Sequence, residues 1–196
     1  MLNCDDLMKT QLFCGLNPNE IAALLDGLDA RRADYAKGEL IIEEGSRIHE
    51  FGIMLSGHGR SIKWDASDRL ITITLLQTGS EIGVLLAASP ERDSPVLVQA
   101  QDDVSVLLIS YDRLLALGGE ACPGHERLLR NYIGIVAERG LVLHERMDCL
   151  LKPTVQAKIM NYLLRVSREN QANAFQVPMN RNAMAQYLNI ERSALS

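Results

Sequence analysis

The sequence predicts an α+β chain with three parts: an N-terminal antiparallel barrel or double-sheet roll, one long helix, and a C-terminal helix-turn-helix. Three observations carry this expectation. Between Arg32 and Ser110, short alternating runs of apolar and β-branched residues recur with glycines between them, the pattern of many short strands joined by tight turns. From His125 to Leu150 the stretch HERLLRNYIGIVAERGLVLHERMDCL has no helix-breaking proline and spaces its apolar residues by four and three. From Asn180 onward, a helix cap, a small residue and a second Asn follow at the spacing of a helix-turn-helix.

Size and composition fit this plan. The chain has 196 residues, 47% of them apolar, enough for one ordinary domain and a small second one. No apolar run approaches the ~20 residues that span a bilayer. The opening MLNCDDLMK is polar and acidic, unlike a signal peptide. Cys4, Cys14, Cys122 and Cys149 form no C-x-x-C pair and no disulfide framework, which fits a reducing cytoplasm. The net charge of −5 is uneven. Residues 151–196 hold six basic side chains and two acidic ones, whereas the rest of the chain is acidic. A basic C-terminal piece on an acidic body suggests a polyanion partner for that piece.

Taken in order, residues 4–29 carry two short helical patterns. Asn17 caps the second, Pro18 sits in its first turn and Glu20 lies near its positive end. Strands are expected at 33–35, 40–43, 50–56, 59–63, 70–76, 81–83, 96–100 and 104–110, with glycines 38, 45, 57, 59, 79 and 83 at the turns. Residues 64–69 make a polar hairpin tip. A short helix follows from Ser110 to Leu117, stopped by Gly118-Gly119.

The long helix reads as a dimer shaft. Leu129, Ile133, Val136, Gly140, Leu143, Met147 and Leu150 form a heptad seam, and Arg127, Arg130, Glu138, Arg139, Glu145 and Arg146 take the other faces. Its 26 residues would span about 39 Å. A long helix lying on its own domain is the alternative. Pro153 then opens a helix over 154–168, the polar stretch 169–174 is a loop, and 175–177 is a short strand candidate.

In the last segment Asn180 caps the first helix of the motif. Ala185 allows a close crossing, Met184, Leu188, Ile190 and Leu195 form the buried seam, and Asn189 takes the left-handed turn position. Glu191, Arg192 and Ser193 then begin the recognition helix, whose first side chains meet base edges in the major groove. Arg192 could fork onto guanine, and Ser193, Ser196, Arg181 and Asn180 complete the expected DNA contacts. An ordinary helical hairpin is the alternative. The sequence stops at Ser196, about one turn into that second helix, so the motif is expected to be truncated here.

These pieces together resemble the Crp/Fnr regulators of bacterial transcription. Lys37-Gly38, Leu40-Ile41 and Gly45 look like the opening turn of that family's cyclic-nucleotide-binding-type roll. Ile53-Met54-Leu55-Ser56-Gly57 resembles its next strand. Gly79-Ser80-Glu81-Ile82-Gly83 resembles the start of its phosphate-binding cassette, and Val98-Gln99-Ala100 the end. The resemblance spans essentially the whole chain. It implies an antiparallel β-roll of double-stranded β-helix, jelly-roll-like form over 1–124, a dimerisation helix over 125–150, and a winged helix-turn-helix over 151–196, incomplete here.

The resemblance also implies a ligand set, and this chain departs from it. Nucleotide-binding members carry a Gly and a ribose-binding Glu at the cassette start, then an Arg for the cyclic phosphate beside a Ser or Thr. Here Gly83 matches, the Glu position is Val84, the Arg position is Ser94 and the next is Pro95. Arg92 lies two residues away. Losing a ribose acceptor and a charged phosphate contact leaves a buried anion badly paired, so binding of cyclic AMP in the family's usual way is not expected. The cysteines do not make an iron–sulfur set, and Gly83-Val84-Leu85 offers no haem ligand. His49, His58, His125 and His144 are isolated, and no metal or other cofactor is expected. Cys14 and Cys122 are read as inert thiols, with a redox pair as the alternative. The pocket walls would be Ile53, Leu55, Ile73, Leu75, Leu85 and Val96, with Gly83, Ser94, Tyr132 and Val136. Such a lining suits an apolar or neutral effector of unknown identity, or a filled core.

The expectation is therefore a cytoplasmic homodimeric transcription regulator that binds a palindromic duplex DNA site, with RNA polymerase as a further partner and no membrane association. The alternative is a roll that binds a ligand or a protein and no longer binds DNA. No nucleophile–base pair, metal triad or catalytic phosphate loop points to an enzyme.

Overall fold

The computed structural model describes residues 4–64, 70–117, 122–177 and 179–195. The expected hairpin tip at 65–69, the Gly118-Gly119 stop and Ser196 lie outside the described residues. The chain divides into two compact units, Met1–Ala137 and Glu138–Ser196.

The first unit begins with α1 (Cys4–Leu7) and α2 (Pro18–Gly27). The Asn17 side chain accepts from the Asn19 and Glu20 amides, and the Glu20 carboxylate accepts from the Asn17 amide at 2.8 Å. This reciprocal pairing satisfies donors that a helix start otherwise leaves open. Eight described strands follow: β1 (Arg31–Tyr35), β2 (Leu40–Ile42), β3 (Glu50–Ser56), β4 (His58–Trp64), β5 (Leu70–Gln77), β6 (Glu81–Ile82), β7 (Leu97–Ala100) and β8 (Val104–Ser110). All eight fall on expected segments, to within a residue or two at their ends.

They form two antiparallel sheets, ordered β1-β8-β3-β6 and β2-β7-β4-β5. Cross-strand register puts Gly52 opposite Leu108 and Met54 opposite Val106 on one face of the first sheet. A Cβ at Gly59 of the second sheet would meet Met54 Cε at 3.1 Å, so this face is the interior of the roll. Phe51 and Ile53 alternate onto the other face. There they join Leu107, Ile109, Leu114, Leu128, Tyr132 and Ile135 in one buried cluster with the N-terminal helices.

Gly57 makes the β3–β4 turn possible. It has φ 84°, and a Cβ there would fall 2.5 Å from the Asp103 carbonyl oxygen. After β6 comes α3 (Val84–Ala88), and after β8 comes α4 (Tyr111–Ala116), capped by Ser110. The long helix α5 (His125–Leu150) belongs to the first unit up to Ala137. Asn131 on α5 donates from its amide nitrogen to the Leu12 and Cys14 carbonyls at 2.8 and 2.9 Å. Buried His125 meets the Leu114 carbonyl at 2.8 Å through Nε2, the donor in this contact.

The second unit packs α6 (Val155–Asn170) and α7 (Arg181–Leu188) around Cys149, Tyr162, Val166, Met184 and Leu188. Thr154 is the N-cap of α6, with its hydroxyl accepting from the Ala157 amide at 3.1 Å. The helix therefore starts one residue later than expected, and Pro153 precedes the cap instead of occupying the first turn. Residues 175–177 form no strand, because no described strand in this unit offers them a partner. A single 3-10 turn covers Arg192–Leu195.

Candidate effector cassette and DNA-reading turn

Gly83 ends β6 with φ 71°, a left-handed conformation that an L side chain adopts at a cost. It turns the chain into α3. The Val84 side chain points into the core and is 5% exposed. Its carbonyl oxygen accepts from the Tyr132 hydroxyl at 2.7 Å. The Tyr132 ring in turn packs on Phe51 at 4.8 Å and on Tyr111 at 5.6 Å. Burial holds the Tyr132 hydroxyl well above the ordinary phenol range, so it stays a neutral donor.

At the far end of the cassette Ser94 is 2% exposed. Its hydroxyl donates to the Val96 carbonyl at 2.6 Å, and its main chain pairs with Ser46 and Gly45 at 2.9 and 2.7 Å. Pro95 is exposed, and Leu85 and Val136 are half-buried. Thus Gly83, Val84 and Tyr132 are brought together, and the buried hydroxyls of Tyr132 and Ser94 both bond to the chain itself. Leu75, expected in the pocket wall, is 69% exposed on edge strand β5.

In the sequence Arg92 is a displaced charge, two residues from Ser94. It forks onto Asp112 of α4, with Nη1 and Nη2 donating to separate carboxylate oxygens at 3.0 and 2.7 Å. That fork holds the Asp112 carboxyl below the usual carboxylate range. The Tyr111-Asp112 doublet just after β8 is the only hint of this partner in the sequence, since it follows the strand at a helix start.

A cleft of about 160 Å³ opens beside Ile41, Ile42, Ile48 and Gly52, with the Arg31–Glu50 ion pair on its rim. Pockets for drug-sized ligands run to roughly 300–1,000 Å³, so this space is small for a nucleotide. Among the described residues no group of three or more His, Cys, Asp or Glu side chains could hold a metal ion. All four cysteines are free thiols.

On α5, Ile133, Leu143 and Met147 are 59%, 50% and 58% exposed, and Gly140 is exposed with open space where its Cβ would be. Leu150 is half-buried. Leu129 and Val136 are half-buried against the core of the first unit, so these two also pack within the chain. Leu141, Val142 and Leu151 are exposed as well; the four-three spacing passes over them.

In the second unit Asn180 caps α7, its Oδ1 accepting from the Ala183 amide at 2.9 Å. Exposed Arg181 is the first helical residue. The helix ends at Asn189, φ 50°, and the Ile190 amide donates back to Ala185 at 3.0 Å. This left-handed stop with a six-to-one hydrogen bond reverses the chain within two residues. Arg192 and Ser193 follow, both exposed. Burial of Met184, Ala185 and Leu188, with Ile190 and Leu195 packed against them, agrees with the expected seam.

Comparison with known proteins gives the fold a setting. Residues 32–119 match the cyclic nucleotide-binding domain family. The structure resembles the c-di-GMP-responsive global regulator CLP of Xanthomonas campestris, with TM-score 0.64 and 19% identity over 90% of this chain and 87% of that one. It also resembles FixK2 of Bradyrhizobium japonicum, with TM-score 0.58 and 19% identity over 85% and 80% of the two chains. The catabolite activator protein of Thermus thermophilus gives TM-score 0.57 and 20% identity over 95% and 83%. No curated protein sequence matches the chain.

Proposed function

We propose that this chain, whose residues 32–119 are a cyclic nucleotide-binding-type domain and whose structural neighbours are Crp/Fnr-type transcription regulators, is a homodimeric DNA-binding regulator that does not respond to cyclic AMP in the usual way. The observation that carries the DNA reading is the turn at Asn189. A capped helix, a left-handed Asn and an exposed Arg192-Ser193 pair follow one another as a helix-turn-helix requires. Arg192 and Ser193 meet base edges, and Asn180 and Arg181 meet the phosphate backbone. Ser196 lies outside the described residues and remains an expected contact.

Two copies pair along α5 through Ile133, Gly140, Leu143 and Met147, with Leu129, Val136 and Leu150 flanking the seam. The exposure of large apolar side chains on that helix supports this. Val84, Ser94 and Pro95 stand where the resemblance leads one to expect nucleotide contacts, which supports an effector of other chemistry, or none. The chain is cytoplasmic in this reading and is not an enzyme; among the described residues no helix is long and apolar enough to cross a membrane.

Two measurements test the proposal. Duplex DNA binding should weaken steeply with added salt, as phosphate contacts require. Calorimetry with cyclic AMP should show no micromolar binding. A roll that binds DNA at no salt concentration would favour an interaction module instead.

A further inference from the structure

Arg92 is the one basic residue between Gly83 and Val96, and its guanidinium is engaged by the chain itself. Beyond the Asp112 fork, Nη1 donates to His49 Nδ1 at 2.9 Å. Arginine has no acceptor, so this contact requires His49 Nδ1 to be the unprotonated ring nitrogen. The guanidinium also lies 5.5 Å from the centroid of the Tyr111 ring. The Arg92 side chain is only 18% exposed, although Asp112 is 60% exposed. Isolated surface ion pairs contribute little. This one is bidentate, stacked on an aromatic ring and largely covered on the arginine side, which are the features that give such pairs weight.

The backbone adds an independent observation. Arg92 has φ 59°, in the left-handed region. Gly, Asn or Asp adopts that conformation more readily than a long side chain does. Its carbonyl accepts from the Ile48 amide at 2.8 Å, and Arg47 and Asp93 form a β-bridge beside it. An arginine stands where the backbone favours a smaller residue, and its side chain reaches the first turn of α4.

Both ends of the segment 84–94 are therefore tied to helices. Tyr132 on α5 holds Val84 at the start, Arg92 holds Asp112 on α4 near the end, and the Tyr111–Tyr132 ring contact joins the two ties. We propose that Arg92, Asp112 and Tyr111 form a built-in latch that fastens the 84–94 segment to α4 and α5, so that the chain supplies the contacts holding this segment closed. The latch needs neither DNA nor a second copy, and it stands or falls apart from the regulator reading.

Amide hydrogen exchange on the full chain tests this. Arg92→Asn removes the fork while placing at 92 a residue suited to the left-handed conformation. Asp112→Asn removes the charge from the other side. Each should speed exchange of the 84–94 amides by about tenfold or more, well beyond any change in β8. The swapped pair Arg92→Asp with Asp112→Arg should recover part of the protection. Unchanged exchange at 84–94 in both single variants would overturn the latch. So would an equal acceleration across the whole first unit, which would mark a general loss of stability. If one variant does not fold, the other decides.

Discussion

The Tyr132 hydroxyl donates to the Val84 main-chain oxygen at 2.7 Å, so the long helix grips the first residue of α3 directly. Tyr132→Phe keeps the ring against Phe51 and Tyr111 and removes only this bond. It should cost about 0.5–1.5 kcal/mol of stability, read from the urea midpoint at constant slope. Tyr132→Ala also removes the ring and should cost about 3–5 kcal/mol. Equal midpoints for Tyr132→Phe and the unsubstituted chain would show that the bond contributes nothing net.

Two carboxyls should shape the acid limb of stability. Asp112 is held low by Arg92, and Asp102 by its bonds to the His58 ring and amide. A depressed folded-state value means that the unfolded chain takes up protons first as pH falls. The stabilisation is then present above the ordinary aspartate value of about 3.9 and is lost as pH drops through the lower folded values. Asp102→Asn and Asp112→Asn should lower the unfolding midpoint at pH 7 and converge on the unsubstituted chain as pH falls through the lowered folded-state values. A difference that does not shrink as pH falls below the ordinary aspartate value would assign the effect to packing.

Asn189 ends α7 in a left-handed conformation. Asn189→Ala should destabilise the second unit by roughly 1–2 kcal/mol, whereas Asn189→Gly should be neutral or stabilising. Helical circular dichroism against temperature separates the two. Equal melting of both variants would mean that the turn relaxes to another shape.

The seam on α5 should be tested where the single chain does not use it. Ile133 and Met147 are more than half exposed, so Ile133→Glu and Met147→Glu should alter single-chain stability by no more than about 0.5 kcal/mol. Each should shift sedimentation from dimer toward monomer. Dimers of unchanged affinity in both variants would place the interface elsewhere.

Much of the fold was legible because its signals are local. Alternation, β-branched residues and turn glycines placed every described strand, and Asn17 and Asn180 announced the helix starts they cap. The left-handed turn at Asn189 was readable from residue type and spacing. Residues 175–177 misled because Phe-Gln-Val has strand composition, yet a strand needs a neighbour that composition does not reveal. The cassette was half legible. The sequence marked Gly83 as its opening turn, but the fate of Arg92 could not be read. Its partner Asp112 lies twenty residues along the chain, and a left-handed arginine has no signature of its own. Tyr132 was placed near the cassette by its position on the long helix. That its hydroxyl meets a carbonyl and its ring fills a ladder of aromatics depends on packing alone.

The central claim is that a dimer of this chain reads DNA through Arg192. It is tested most directly by selecting bound duplexes from a random-sequence pool with the full chain and with Arg192→Ala. The claim predicts enrichment of a palindrome with half-sites about one turn, or ~34 Å, apart. It also predicts that Arg192→Ala costs about 1–3 kcal/mol and relaxes preference at one base pair in each half. Absence of any enriched sequence, or an identical palindrome selected with undiminished affinity by Arg192→Ala, would contradict it.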